Sequence, residues 1–120
     1  MDLLVSTRRA PRHVVVEVRG ELDMDTTPQL RAELQRLVDA GDREVVVDLG
    51  GVPFMDSSAL GDIVLTFTAL RDVGGRLSLA AVQRQVATVL KITSLDSVID
   101  IYDTAEAAEA DVPPAESARG

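Results

Sequence analysis

The stretch EVVVDLGGVPFMDSSALG, residues 44–61, holds a strand, a turn and the opening of a helix, and that order decides the fold class. EVVVDL (44–49) is an apolar run too short for a helix and rich in β-branched residues, which predicts a strand covered on both faces and lying centrally in a sheet. GGVP is a turn. FMDSSALG (54–61) then sets one carboxylate and two adjacent hydroxyls before an apolar run at helical spacing. Leu60, Val64, Phe67 and Leu70 or Arg71 form its expected inward stripe, and the helix should run to about Val73, where Gly74 and Gly75 stop it.

Outward from this centre the alternation continues. Leu3 to Ser6 predicts a first strand, APR (10–12) a turn, and HVVVEVRG a second strand with Val14, Val16 and Val18 on one face and His13, Val15, Glu17 and Arg19 on the other. GELDMD (20–25) leaves the sheet. A helix follows, capped by Thr26 or Thr27, with Pro28 in its first turn, Leu30, Leu34, Leu37 and Val38 inward, and Gly41 closing it. On the other side RLSLA predicts a strand, VQRQVATVLKI a helix with Val82, Val86, Val89 and Leu90 inward, and SVIDIY another strand. A last helix is expected from Asp103, with Glu106 at the capping-box position. The order β-β-α-β-α-β-α-β-α implies one α/β domain over residues 3–110: a mixed, mostly parallel sheet with an N-terminal antiparallel hairpin. DVPPAESARG (111–120), with two prolines and few large apolar residues, is expected to be a disordered tail.

Composition narrows the function. The chain has 120 residues, 46% apolar and 27% charged, enough to bury a core without staples. Twelve Lys and Arg against twenty Asp and Glu give a net charge of −8, which repels nucleic acid and anionic lipid alike. Arg8, Arg9 and Arg12, the one local basic cluster, fall where the hairpin turn is expected and are assigned to a solvated turn. The N-terminus MDLLVST has an acid where a signal peptide carries positive charge. No apolar run approaches the roughly 20 residues of a membrane span. A cytoplasmic location is expected.

The absence of cysteine removes thiol catalysis and thiolate metal sites, and His13, expected at the surface or a sheet edge, is the one residue available as base to a serine nucleophile. Glu21, Asp23 and Asp25 alternate along an extended segment but lack the glycine and ligand spacing of a calcium loop. Asp48 ends a buried strand, as the acceptor of a receiver domain does, yet the acidic pair after the first strand is missing and the sole lysine, Lys91, falls in a helix. No enzyme activity, metal or cofactor is expected.

What remains is Asp56, Ser57 and Ser58. Asp and Ser are favoured N-cap residues, and one cap stabilises by about 1 kcal/mol. Three in a row exceed what one helix start requires, and Phe54 and Met55 before them anchor the loop or offer a contact patch. A hydroxyl at a helix N-terminus is well placed to receive a phosphate, whose added charge of about −1.5 to −2 the first-turn amides favour by roughly 0.3–1 kcal/mol.

GELD (20–23), TTPQLRAEL, EVVVDL, FMDSSALG and VQRQVATVLKITSLDSVIDIYDT together resemble the STAS domain, specifically the anti-sigma factor antagonists, over residues 3 to 109. The resemblance implies the STAS fold, with about four helices packed mainly on one side of the sheet. It implies that Ser57, the hydroxyl residue directly after Asp56, is phosphorylated. The partner it implies is an anti-sigma factor serine kinase that brings its own ATP: in that family the unphosphorylated form binds it and displaces the sigma factor, phosphorylation ends binding, and a PP2C-type phosphatase restores it. Glu21, Asp23, Met55, Asp56, Ser58 and Ala59 are implied at the partner surface. The alternative within the same fold is a constitutive adaptor, for instance of a transport complex, in which the serine cap is structural. Two positions depart from the family: Ala59 stands where Gly is usual, and ITSL, with Ser94, where ITGL is usual. The Ala59 methyl favours helix by up to about 1 kcal/mol and is expected to project into the surface a kinase approaches, while Ser94 is expected to strain a turn that glycine would satisfy.

Overall fold

The computed structural model describes residues 3–110. The expected tail at 111–120 lies outside them. A five-stranded sheet runs in the order β1 (Leu4–Arg9), β2 (Val14–Arg19), β3 (Glu44–Gly51), β4 (Arg76–Ala80) and β5 (Ile101–Tyr102), with β1 antiparallel to β2 and every other pair parallel. Four helices connect or flank them: α1 (Thr27–Asp39), α2 (Ser57–Asp72), α3 (Arg84–Ile92) and α4 (Ala105–Ala110). β3 is the middle strand, as its β-branched run predicts. None of the helices described is long and apolar enough to cross a membrane.

Strand periodicity sorts the core into two layers. Val14, Val16 and Val18 of β2, Val45, Val47 and Leu49 of β3, and Leu77 and Leu79 of β4 point to one face, where they meet side chains of α1, α2 and α3. On the reverse face Val15, Val46 and Ala80 lie beneath Ala105, Ala108 and Tyr102. Among the described residues, three helices thus share one side and α4 alone covers the other. Its two buried alanines let the short helix sit close on the strands.

Several local expectations need correction. Val15 is fully buried rather than on an open face, because α4 covers it, and His13 is buried as well. Arg8 and Arg9 belong to the end of β1, not to the turn. Arg8 reaches Glu17 at 3.4 Å and Glu109 at 2.6 Å, and Arg9 forms a two-pronged pair with Asp42 at 2.8 and 3.1 Å. The inward stripe of α2 is Ala59, Ile63 and Leu70 with Leu60, whereas Val64 is only half-buried. Of the expected strand SVIDIY, only Ile101 and Tyr102 pair with β4. A 3-10 turn at Leu95–Ser97 takes up the preceding amides, with Val98 and Ile99 both donating to the Leu95 carbonyl. The cap of α4 is Thr104, one residue later than expected, its hydroxyl accepting from the Ala107 amide at 3.0 Å.

Candidate functional site

The chain leaves β3 at the C-terminal end of the parallel strands and crosses to α2 through residues 52–56. Phe54 to Asp56 are extended and held along both edges. On one edge the Leu22 amide donates to the Phe54 carbonyl and the Asp56 amide to the Leu22 carbonyl, each at 3.0 Å, a parallel bridge outside the main sheet. On the other, the side-chain amide of Gln85 in the first turn of α3 accepts from the Met55 N–H at 3.0 Å and donates to the Met55 carbonyl at 3.3 Å. Alternation sends the Met55 side chain into the core and leaves Phe54 outside, 39% exposed. The two residues, expected to anchor the loop or to offer a contact patch, divide the roles: Met55 anchors and Phe54 faces solvent.

The Leu22 bridge brings the GELD loop beside the α2 start. The loop holds itself together. Asp23 Oδ1 accepts from the Asp25 and Thr26 amides at 2.9 and 3.1 Å, and the Thr26 hydroxyl donates to the Glu21 carbonyl at 2.7 Å. Thr26 therefore fastens the loop instead of capping α1 with its side chain. The Glu21 side chain is exposed. Glu21, Asp23 and Asp25 form no metal cluster: among the described residues no three of His, Cys, Asp and Glu gather closely enough to hold an ion.

At the mouth of α2 the three polar residues have separate tasks. Asp56 is the N-cap: its backbone is extended, and its Oδ1 accepts from the Ser58 amide at 2.9 Å and the Ala59 amide at 3.4 Å. The Ser58 hydroxyl also donates to that oxygen, at 2.5 Å. This hydroxyl above all, and then the amides of Ser58, Ala59 and Met24, hold the Asp56 carboxyl below the usual aspartate range. Ser58 is partly buried and engaged. Ser57 is exposed, and no hydrogen bond within the described residues holds its hydroxyl. Of the two serines, only this one presents an uncommitted nucleophile.

Beside Ser57 a shallow apolar groove of about 540 Å³ runs along α2, floored by Leu60, Val64 and Leu65 with Leu95 across from them. Leu65 is 68% exposed. Its sequence signal was an apolar residue off the core stripe of the helix, hidden because α2 is apolar nearly all round. Met55 and Ala59, expected among the partner-facing residues, are instead buried, at 1% and 0% exposure. The Ala59 methyl packs inward with Ile63 and Leu70 rather than projecting at a partner, since position 59 lies on the core side of the first turn. Ser94 does adopt the left-handed conformation that glycine favours, at φ 62°. Gln85, which sequence reasoning passed over, carried no signal beyond being a polar residue on an amphipathic helix.

The protein-family model described as the STAS domain matches residues 5–108. Among curated proteins, the chain is similar to the anti-sigma-B factor antagonist of Staphylococcus aureus (strain NCTC 8325 / PS 47), 31% identical over 106 residues that cover 88% of this chain and 98% of that protein. Among solved structures, an anti-sigma factor antagonist from Mycobacterium paratuberculosis superposes with a TM-score of 0.82 at 26% identity, over 89% of this chain and 91% of that one. The Bacillus cell fate determinant SpoIIAA in its phosphorylated form gives a TM-score of 0.71 at 25% identity, over 88% and 96% of the two chains.

Proposed function

This chain belongs to the STAS domain family, and from that membership we propose that it is an anti-sigma factor antagonist switched by phosphorylation of Ser57. The domain spans residues 3–110 and works in the cytoplasm as a binding module, not as an enzyme. Unphosphorylated, it captures an anti-sigma factor serine kinase and so releases the sigma factor. Phosphorylated, it lets go, and a PP2C-type phosphatase restores it.

The observation that carries this reading is the contrast between the two serines: the Ser57 hydroxyl is exposed and unheld beside an apolar groove, while that of Ser58 is tied to Asp56 at 2.5 Å. In the transfer, the Ser57 oxygen bonds to the γ-phosphorus of ATP held by the partner as the bond from that phosphorus to the bridging oxygen of departing ADP breaks. The hydroxyl proton leaves to water or to a base on the partner. Asp56 is poorly suited to be that base, because Ser58 and three backbone amides stabilise its ionised form.

Those contacts also explain how the new charge acts. The Ser58 and Ala59 amides, which at an open helix start would welcome a phosphate, already donate to Asp56. A phosphoserine with a charge of about −1.5 to −2 meets a neighbouring carboxylate and few vacant donors within its own domain. Its cost falls on the interface, through desolvation and repulsion from the partner's nucleotide, while the repulsion from Asp56, already present in the free domain, deepens as water leaves. A cost of about 3 kcal/mol lowers affinity roughly a hundredfold.

The test is incubation with an anti-sigma serine kinase and ATP, with the modified residue mapped by mass spectrometry and binding measured on both forms. Ser57→Ala should fold normally and bind whether or not ATP is present, and Ser58→Ala should still accept phosphate. Phosphate mapped to Ser58, or binding that ignores phosphorylation at Ser57, would overturn the switch. ATP-independent binding by the native chain is the outcome a constitutive adaptor predicts.

A further inference from the structure

Among the described residues, 54–56 meet a backbone neighbour on one edge only, the bridge to Leu22. On the opposite edge no described strand arrives. The place is filled by one side chain: Gln85 gives Met55 both an acceptor for its N–H, at 3.0 Å, and a donor for its carbonyl, at 3.3 Å. Only a carboxamide carries both functions side by side in the spacing of a peptide group, so a glutamine can replace a missing strand where glutamate or lysine supplies half the pair. Gln85 is itself fixed, because the next residue, Val86, is fully buried and anchors α3 in the core.

We propose that Gln85 is a positioning residue for Ser57: by completing the two-sided hold on Met55, it fixes where the cap Asp56, and with it the exposed hydroxyl one residue further, stands relative to α2. The inference rests on the reading of Ser57 as the phosphoacceptor. In-line attack on phosphorus is sensitive to placement, and an error of about 1 Å costs on the order of a hundredfold. The Met55 backbone lies two residues before the reacting oxygen, and a loosened Met55 frees the whole approach to the helix. The core does not depend on this pair of bonds. Gln85 touches the loop through its amide while Val86 and Leu90 do the packing of α3.

Two variants of the full chain test it. Gln85→Leu keeps the bulk and removes both polar atoms; Gln85→Glu keeps the acceptor for the Met55 N–H and loses the donor. Hydrogen exchange by NMR should show the Met55 amide about tenfold or more less protected in Gln85→Leu and intermediate in Gln85→Glu, while the Leu79 amide, bonded to the Asp100 carbonyl in the sheet, keeps native protection. With the kinase and ATP, kcat for phosphorylation of Ser57 should fall on the order of tenfold to a hundredfold in Gln85→Leu, KM should stay within about twofold, and the share of phosphate at Ser58 should rise. Native Met55 protection in Gln85→Leu, or native kcat with all phosphate at Ser57, would refute the assignment, and so would equal loss of protection at Met55 and Leu79, which marks Gln85 as part of the global fold. If the native chain takes no phosphate, the switch fails on its own account, and Met55 protection alone decides whether Gln85 holds the loop.

Discussion

Replacing Asp56 with alanine removes a side chain that serves the Met24 amide and, at the start of α2, three further donors: two backbone amides at 2.9 and 3.4 Å and the Ser58 hydroxyl at 2.5 Å. Loss of an aspartate N-cap costs about 1 kcal/mol and up to about 2. For a domain of this size, about 1 kcal/mol corresponds to a Tm lower by about 4 °C. Asp56→Asn keeps an acceptor oxygen and loses only the charge facing the helix N-terminus, a smaller deficit of roughly 0.3–1 kcal/mol. The two variants therefore separate the hydrogen bonds from the charge.

Acidity separates them again. The Asp56 carboxyl is held below its ordinary range in the folded state, so its charge contributes stability that is fully present above the unfolded aspartate pKa of about 4 and disappears as pH falls through the folded value. The gap between native chain and Asp56→Asn should be open at neutral pH and closed in strong acid. Glu33, lowered chiefly by its bond to Arg36, and Asp42, lowered chiefly by Arg9, lose stability over the same range, but equally in both proteins. Only the difference between the two reports Asp56. Urea unfolding followed by circular dichroism, at neutral pH and again below the ordinary carboxylate range, provides the measurement. An Asp56→Ala chain as stable as the native one, or an Asp56→Asn gap that persists unchanged in acid, would refute the cap as described. Alanine also releases the Ser58 hydroxyl, so kinase treatment of that variant should spread phosphate over both serines.

Ser94→Gly should stabilise by about 1 kcal/mol in urea titrations, because φ 62° penalises a side chain that makes no cap of its own. Ala59→Gly, which restores the residue usual in the family, should destabilise by about 1 kcal/mol or more through lost helix propensity and a lost core methyl, yet leave the rate of Ser57 phosphorylation unchanged. A faster rate in that variant would mean that the buried methyl does obstruct the partner.

The parts of this fold that sequence conveyed are those whose signal is local. A β-branched run identifies β3 and its two-sided burial, and a cluster of cap residues marks where α2 begins without saying which of the three is the cap. Where a helix is apolar on most of its circumference, period alone does not choose the inward face. Period alone puts Val64 in the core, where Ile63 lies instead, and gives no place to Leu65, which is exposed and lines the groove. Val15 followed the outward face of β2 in sequence and is buried, because a six-residue alanine-rich helix from the far end of the chain settles on it. The same distance hid Gln85, which acts on Met55 from 30 residues away. The contacts that hold the approach to Ser57 are of this long-range kind, so the proposed acceptor is legible in the sequence and its support is not.

Because the tripeptide before α2 is already braced on both sides, docking there need not freeze a wandering loop. Fixing one residue's backbone costs about 1–2 kcal/mol, so a partner meeting these three residues preset avoids a penalty of roughly 3–6 kcal/mol that an unstructured recognition segment would incur. A surface prepared in this way favours rapid, rigid-body encounter, and under the proposed switch the phosphate would govern how long the complex lives rather than whether its binding face exists.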